Sequence, residues 1–302
     1  MELIFNESRQ IYISKINAVQ DYIEKHLEDE LHIEQLANIA CFSVFHFQRI
    51  YHQITGESLY SFIKRLRLEK AAFLIRSNRS LPILDIALTV GFSNQASFAK
   101  AFKERYGINA SQIRKLNDLD LIKVNYSTNG KVFYEKEHYN IPIDLSIRSK
   151  EPTKVIYIRH IGSYKGDSHL FMGMFSKLYD YASSQNLIEK ESAWFAAYHD
   201  YGDLTMENKL RVSVCMSIAE DVAGVGEFGS MHLEGGKYAV GKFLLKKDEY
   251  QGAWNYMFSK WLPESGYIPD DRICFEHYPL EGFIEGKEGR VVEIFIPIAP
   301  LK

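Results

Sequence analysis

Residues that can make paired hydrogen bonds recur at two similar places in the first third of the chain. In the first place, four residues lie outside the apolar stripe of a predicted helix: Val44, Phe45, Gln48 and Arg49. In the second place, the equivalent positions hold Asn94, Gln95, Ala96, Ser97 and Lys100. Gln and Arg form bidentate hydrogen bonds with adenine and guanine edges, and a ring such as Phe45 can contact a thymine methyl. These positions therefore predict recognition of base edges.

One carboxylate in the last third of the chain indicates a second kind of chemistry. The strand 272–278 alternates so that Glu276 shares a face with Cys274 and Tyr278, among apolar neighbours. A buried anion needs a partner, which is either a cationic ligand or an internal Lys, Tyr or backbone donor. Glu293 alternates in the same way and is a weaker candidate. Aromatic residues that can stack on a flat apolar or cationic compound include Tyr164, Trp194, Tyr198 and Tyr278, although about half of the aromatic residues in this region are expected to be core.

The elements that must position the base-reading residues occur as a repeat. Residues 37–56 align with residues 87–107, so that Cys41-Phe42-Ser43 corresponds to Gly91-Phe92-Ser93. In each copy, apolar residues at i, i+3, i+4 and i+7 predict a short amphipathic helix, and a sharp bend follows it at Cys41 or Gly91. Ser43 and Ser93 then suit the N-cap of a second helix. The pattern predicts two helix-turn-helix units.

A long helix is predicted between the two units, over residues 58–76. The Lys and Arg residues at positions 64, 65, 67 and 70 are expected on its exposed face, where they neutralise phosphates. Residues 41–116 contain twelve Lys or Arg and four Asp or Glu, whereas the whole chain has a net charge of −3. This basic block favours a polyanionic partner. With a stiff helix between them, the two units could enter successive major grooves about 10 base pairs apart.

After about residue 121 the pattern changes to short alternating strands separated by Gly and Pro, for example over 155–160 and 291–296. A second repeat runs through this half. Phe175-Ser-Lys and Phe258-Ser-Lys are each followed by a Phe-x-x-Tyr pair, which begins at Phe195 or Phe275. These observations predict an α+β half built from two copies of a strand-helix-strand unit.

Two families share these motifs. Residues 31–116 closely resemble the AraC/XylS family, through IEQLANIACFSVFHFQRIYHQITGESLYSFIKRLRLEKAAFLI and ILDIALTVGFSNQASFAKAFKERYG. Residues 150–302 are similar to GyrI-like effector-binding domains, through VIYIRHIGSY, YHDYGDL, EGGKYAV, WLPESGY, CFEHYP and VVEIFIPI. The first resemblance implies base or backbone contacts at the positions named above. The second implies a ligand groove between two pseudo-repeated halves and a ligand-contacting glutamate at Glu276.

Together these features predict a multidomain transcription regulator. An all-α tandem helix-turn-helix DNA-binding domain is expected over residues 1–116, a linker and domain entry over 117–149, and an α+β duplicated GyrI-like domain over 150–302. The expected partners are double-stranded DNA and a small apolar or cationic effector, with RNA polymerase left open and no membrane. No cofactor, metal site or catalytic residue is expected. Since the first ten residues lack a secretory signal, the expected location is the cytoplasm.

Two rival interpretations remain. An enzyme could use Tyr198, His199, Asp200 and Glu276 as acid and base groups, but the sequence has no GxSxG, HExxH, P-loop or metal-ligand spacing. Alternatively, the protein binds DNA constitutively, and its second half is a partner or dimer surface. If an effector acts, residues 116–129 are expected to carry the mechanical coupling, unless the ligand stabilises the protein or exposes a surface for RNA polymerase.

Overall fold

The computed structural model describes residues 2–78, 80–115, 139–200, 204–219, 222, 225–282 and 288–300. The chain forms two compact units. The first comprises residues 1–133, 200–207 and 225–227, and the second comprises residues 134–199, 208–224 and 228–302. The expected coupling segment 116–129 lies outside the described residues. The predicted fold class, an all-α domain followed by an α+β domain, is confirmed.

The helices of the first unit form two small cores. Their bounds are α1 (Glu2–Lys25), α2 (Ile33–Ile39), α3 (Val44–Thr55), α4 (Leu59–Ser77), α5 (Ile83–Thr89), α6 (Gln95–Tyr106) and α7 (Ala110–Ile113). Phe47, Tyr51 and Phe62 lie in the first core. Phe98 and Phe102 lie in the second. The two predicted helix-turn-helix motifs are therefore α2–α3 and α5–α6, and the long helix α4 lies between them in the sequence.

Each helix-turn-helix motif bends where predicted, at Cys41 or Gly91, whereas one predicted helix cap is wrong. Cys41 and Gly91 both have positive φ angles, 54° and 84°. Ser43 caps α3, but Asn94 and not Ser93 caps α6, because its side chain accepts a hydrogen bond from the Ser97 amide at 2.8 Å. The second copy of the repeat has one more residue after its bend than the first, which moves the helix start by one position, and an Asn side chain caps as well as Ser does.

Two of the four basic residues of α4 are not on an exposed face. Arg65 is buried and pairs with Glu57 and Glu69 at 2.9 and 3.3 Å. Arg67 is half-buried and donates to the backbone oxygens of Leu27 and Gly91 at 2.9 and 2.7 Å. The prediction that both guanidinium groups face phosphates is therefore wrong. They hold helices together, since backbone carbonyls and buried carboxylates need donors.

The second unit is built around one antiparallel sheet. Its strands are β1 (Asp144–Lys150), β2 (Thr153–Ile161), β3 (Trp194–Tyr198), β4 (Arg211–Ser217), β5 (Phe228–Leu233), β6 (Gly236–Leu245), β7 (Tyr267–Pro269), β8 (Cys274–Tyr278) and β9 (Arg290–Pro300). The order is β1-β6-β9-β8-β3-β4-β2-β5, with β7 paired to β9. The two halves of this order match about the β3–β8 pair, where Ala196 lies opposite Glu276. The predicted duplication is therefore present.

The helices of the second unit pack against one face of the sheet. They are α8 (Ser168–Ser184), α9 (Tyr250–Asn255), a π-helical segment (Tyr256–Trp261) and α10 (Leu262–Glu264). A 3₁₀ turn at Glu207–Lys209 lies where the chain passes from the first unit to the second. Because strand side chains alternate between faces, Glu276 and Tyr278 point toward the helices, and Phe275 and His277 point away from them. Among the described residues, no helix is both long and apolar enough to cross a bilayer.

Candidate functional site

The helix α3 presents three of the four predicted base-reading residues on its surface. Phe47 and Tyr51 are buried, so the remaining side of the first turns carries exposed Phe45, Gln48 and Arg49, with Val44 half-buried. The Phe45 ring is 66% exposed, which is unusual for a large apolar side chain. The Arg49 guanidinium lies 5.9 Å from the centre of that ring. This surface combines a bidentate donor with an apolar contact group.

The helix α6 presents the equivalent surface, but its first residues are partly used for capping. Ser97 donates its hydroxyl to the Asn94 backbone oxygen at 2.9 Å, and the Asn94 side chain accepts from the Ser97 amide. All five predicted positions, Asn94 to Ser97 and Lys100, are exposed. Because Asn94 and Ser97 are engaged locally, Gln95 and Lys100 have the most suitable side chains for contacts to DNA.

His46 is an exposed residue of this surface that the sequence analysis missed. It lies in the first turn of α3, with Nδ1 3.2 Å from the Ser43 hydroxyl and its ring edge-on to Phe45. His46 follows its N-cap by three residues, as Ser97 follows Asn94. Aligning the two helix-turn-helix motifs by their N-caps, and not by their bends, places His46 at the position of Ser97.

In the second unit, Glu276 is an almost fully buried carboxylate, 1% exposed. Its Oε1 accepts a hydrogen bond from the Trp254 indole at 2.7 Å, and its Oε2 accepts one from the Tyr278 hydroxyl at 2.5 Å. Tyr198 also donates to Glu276. These three donors are neutral groups. The carboxylate is hydrogen-bonded, but none of these partners neutralises its charge.

Aromatic rings enclose this carboxylate. Tyr198 contacts Tyr164 and Trp254, with ring centres 5.7 and 5.3 Å apart. Phe175 contacts both Trp194 and Tyr278, at 6.0 and 5.3 Å. The structure therefore brings together Glu276 and four predicted site residues, Tyr164, Trp194, Tyr198 and Tyr278. Trp254 and Phe175 complete the aromatic enclosure of Glu276. Trp254 reaches Glu276 because α9 packs against β8, and this packing is not visible in the periodicity of the sequence.

The surroundings of Glu276 shift several pKa values upward. Burial raises the pKa of Glu276, and the hydrogen bonds from Tyr278, Trp254 and Tyr198 oppose that shift. Burial and then the negative charge of Glu276 hold the pKa values of Tyr198 and Tyr278 well above their usual range. Burial, followed by the same charge, raises the pKa of Tyr250 to about 12. The phenols therefore stay protonated and donate to the carboxylate.

Glu293 does not join this cluster. It pairs in register with His277, on the face of the sheet opposite to Glu276. Its two oxygens lie 2.9 Å from Arg148 Nη1 and 2.9 Å from His277 Nδ1. The hydrogen bond from His277 is the main cause that lowers the pKa of Glu293, to about 2. This carboxylate has an internal cationic partner, Arg148, whereas the donors to Glu276 described above are neutral.

Glu293 makes the stability of the second unit depend on acid pH. Because its folded pKa lies below the ordinary value, its stabilising contribution is present above about pH 4.5 and is lost toward pH 2. We expect the free energy of unfolding to fall more steeply over this range in the wild type than in Glu293→Gln. Urea unfolding followed by tryptophan emission measures it, since all three Trp residues lie in this unit. Parallel curves for both proteins would contradict the assignment.

The four residues considered for acid-base catalysis do not form one group. Tyr198 and Glu276 are hydrogen-bonded, but the His199 ring contacts Ser213 Oγ at 2.8 Å and Arg159 Nη2 at 3.2 Å. Asp200 belongs to the first unit, where it lies 3.9 Å from Arg65. Among the described residues, no cluster of His, Cys, Asp and Glu side chains suits a metal ion.

Comparison with known proteins agrees with this division of the chain. Residues 36–116 match the helix-turn-helix domain model, and residues 144–299 match the GyrI-like small molecule binding domain model. An HTH-type transcriptional regulator of Haemophilus influenzae is 39% identical over 101 residues, which cover 33% of this chain and 34% of that protein. The transcriptional regulator Rob of Salmonella typhimurium is 28% identical over 123 residues, 41% of this chain and 42% of Rob.

The second half has relatives of its own. The DNA gyrase inhibitor of Yersinia enterocolitica is 30% identical over 145 residues, which cover 46% of this chain and 88% of the inhibitor. By contrast, the match to the Haemophilus influenzae regulator spans only about a third of that protein. The fold and the two matches define a chain that joins an AraC-type helix-turn-helix domain to a small-molecule binding domain. It belongs to the GyrI-like family, whose model covers more than half of its length.

Proposed function

We propose that this protein is a sequence-specific DNA-binding transcription regulator whose second half binds a small apolar cation. The functional division follows the predicted domains, residues 1–116 for DNA, 117–149 as linker and 150–302 for the effector. The observation that carries the effector assignment is Glu276, which is buried among aromatic rings and hydrogen-bonded only by neutral donors in the contacts described above. The DNA assignment rests on the matched surfaces of α3 and α6.

An apolar cation suits the Glu276 site for two physical reasons. A cation beside a carboxylate is attracted far more strongly in a low-dielectric interior than in water. Aromatic faces add cation-π attraction and apolar contact, and covering them with a ligand breaks few hydrogen bonds to water. A quaternary ammonium has no N–H groups, so it does not compete with Trp254 and Tyr278 for the carboxylate oxygens. Glu293, by contrast, is already paired with Arg148.

Ligand entry requires aromatic side chains to move, because Glu276 is enclosed. We expect the Trp254 side chain to move when the ligand enters. Trp254 is the last but one residue of α9, which continues into the π-helical segment Tyr256–Trp261. Its ring stacks on Phe258 of that segment, 5.9 Å between centres. Single turns of π-helix are rare and often occur at functional sites. A change of the helical pattern there would turn the Trp254 indole away from Glu276.

Selection of bound duplexes from random DNA tests the proposed function. The full chain is used with and without benzyltrimethylammonium, an aromatic quaternary cation. We expect one enriched sequence family, and an effect of the cation on the amount of DNA bound. Absence of any enriched sequence at moderate salt would contradict DNA recognition. An unchanged yield would favour a constitutive DNA-binding protein, and RNA polymerase remains a further partner to test by addition to the bound complex.

Arg49 and Lys64 are expected to affect DNA binding differently. Arg49 lies on the exposed side of α3, so Arg49→Ala should change the preference at one base pair by about 1–3 kcal/mol. Lys64 lies on α4, which holds none of the predicted base-reading residues, so Lys64→Ala should weaken all duplexes about equally. Affinities for a set of single-base variants at fixed salt distinguish the two effects. A uniform loss for both variants would refute a base contact by Arg49.

A further inference from the structure

A buried network of charges lies in the first unit, away from the surfaces described above. Glu69 of α4 is 1% exposed and accepts hydrogen bonds from Arg65, Arg105 and Thr205, at 3.3, 2.9 and 2.9 Å. Arg65 also pairs with Glu57 at 2.9 Å. The network joins α4 to α6, because Arg105 lies in the last turn of α6.

Part of this network comes from a distant stretch of sequence. Residues 200–207 lie between β3 and β4 in the chain but belong to the first unit. Thr205 donates its hydroxyl to Glu69, and the Leu204 backbone oxygen accepts from Arg105 Nη2 at 3.2 Å. The Leu204 side chain is 2% exposed and lies in the core that contains Phe98. Asp200 Oδ1 lies 3.9 Å from Arg65 Nη1.

These contacts are of a kind that a small displacement would disturb. Glu69 is 1% exposed, so solvent cannot readily replace a lost donor, and an unsatisfied buried carboxylate is costly. The three carboxylates Glu57, Glu69 and Asp200 face the two guanidinium groups of Arg65 and Arg105, and Arg65 touches all three. Movement of Asp200 or Thr205 would therefore change the hydrogen bonds and charges around Glu69, and hence how strongly Arg105 holds α6 to α4.

The same stretch of chain is covalently close to the Glu276 cluster. Tyr198, the last residue of β3, donates to Glu276 and precedes Asp200 by two residues. His199, between them, is held to Ser213 at 2.8 Å. The backbone offers little slack over two residues, since each residue spans at most about 3.6 Å. A shift of Tyr198 would therefore reach Asp200 directly.

We propose that Asp200, Leu204 and Thr205, the coupling residues, transmit changes at the Glu276 site to α4 and α6. This inference rests on the proposed effector role of Glu276. These residues form a route between the two units that is separate from the segment 116–129, which was expected to carry the coupling. When a cation neutralises Glu276, the hydrogen bond from Tyr198 weakens, and the coupling residues alter the restraint on α6, which carries Gln95 and Lys100.

A double-mutant cycle in the full chain tests this inference without any ligand. Glu276→Gln neutralises the carboxylate, as a bound cation would. The readout is hydrogen exchange of the α6 amides, residues 95–106, in the wild type, Glu276→Gln, Asp200→Asn with Thr205→Val, and the combined protein. We expect Glu276→Gln to change α6 exchange by about fivefold, at the lower end of typical allosteric coupling. In the background that lacks the Asp200 charge and the Thr205 hydroxyl, the change should fall below about twofold.

Two further variants keep the result decisive. Glu207→Gln changes an exposed residue in the same stretch and should leave the fivefold change intact. Asp200→Asn alone serves if the Thr205→Val protein does not fold, because removing one of three clustered carboxylates relieves repulsion. Equal effects of Glu276→Gln in both backgrounds, or no effect on α6 at all, would overturn the inference. Separate titration with benzyltrimethylammonium tests the effector role itself, so the two failures are distinguishable.

Discussion

Glu276→Gln is expected to lower the affinity of the full chain for benzyltrimethylammonium by about 100-fold or more. Removing one partner of a buried charge pair costs about 2–5 kcal/mol, and each 1.4 kcal/mol is a factor of ten. The amide keeps the size of the side chain, its oxygen still accepts from Trp254, and its NH2 group can donate to the Tyr278 hydroxyl oxygen, so the fold should persist. Calorimetric titration of the cation into each protein measures the loss.

Three controls separate charge from shape in this experiment. Neopentylbenzene, the neutral isostere of the cation, should bind weakly to the wild type and equally to the variant. Glu293→Gln removes a carboxylate on the opposite face of the sheet and should leave cation affinity intact. Because the pKa of Glu276 is raised, cation affinity should increase with pH as the carboxyl loses its proton. If Glu276→Gln binds the cation as the wild type does, Glu276 is not the cation partner.

Arg65→Met is expected to destabilise the first unit by about 3–5 kcal/mol, the usual cost of leaving buried charges without their partner. Arg65 is 6% exposed, and its loss removes the guanidinium that Glu57, Glu69 and Asp200 share, while Arg105 still pairs with Glu69. Since folded domains are stable by about 5–15 kcal/mol, much of the stability of this unit would disappear. The deficit should shrink at low pH, because burial raises the pKa of Glu69 and protonation removes its charge.

Two signals distinguish unfolding of the first unit from that of the second. The Trp residues lie only in the second unit, so their emission should keep its wild-type urea midpoint in Arg65→Met. The helical circular dichroism signal should lose amplitude at lower urea. Lys64→Met changes the neighbouring residue, whose ion pair with Glu104 is exposed, and should have little effect. A wild-type transition for Arg65→Met would show that the buried pairs add little net stability.

Local patterns determined much of what is described above. Apolar spacing placed the helices of both helix-turn-helix units, because a short amphipathic helix buries one face wherever it packs. The bends at Cys41 and Gly91 followed from the repeat, since both must adopt positive φ. Strand alternation placed Glu276 on an apolar face, which its 1% exposure confirms. These features depend on neighbours in the sequence, and the sequence contains them.

Partners that are distant in the sequence were decided only by the tertiary structure. Alternation could not tell that Glu276 and Glu293 lie on opposite faces, because their relation depends on the register of β8 and β9. The burial of Arg65 was unpredictable, since its partners Glu69 and Asp200 are 4 and 135 positions away and a helical Arg is usually exposed. Charge, unlike hydrophobicity, has no periodic signature when its partner comes from another element. The sequence by itself determined the elements and their buried faces, and the tertiary packing decided which charges meet.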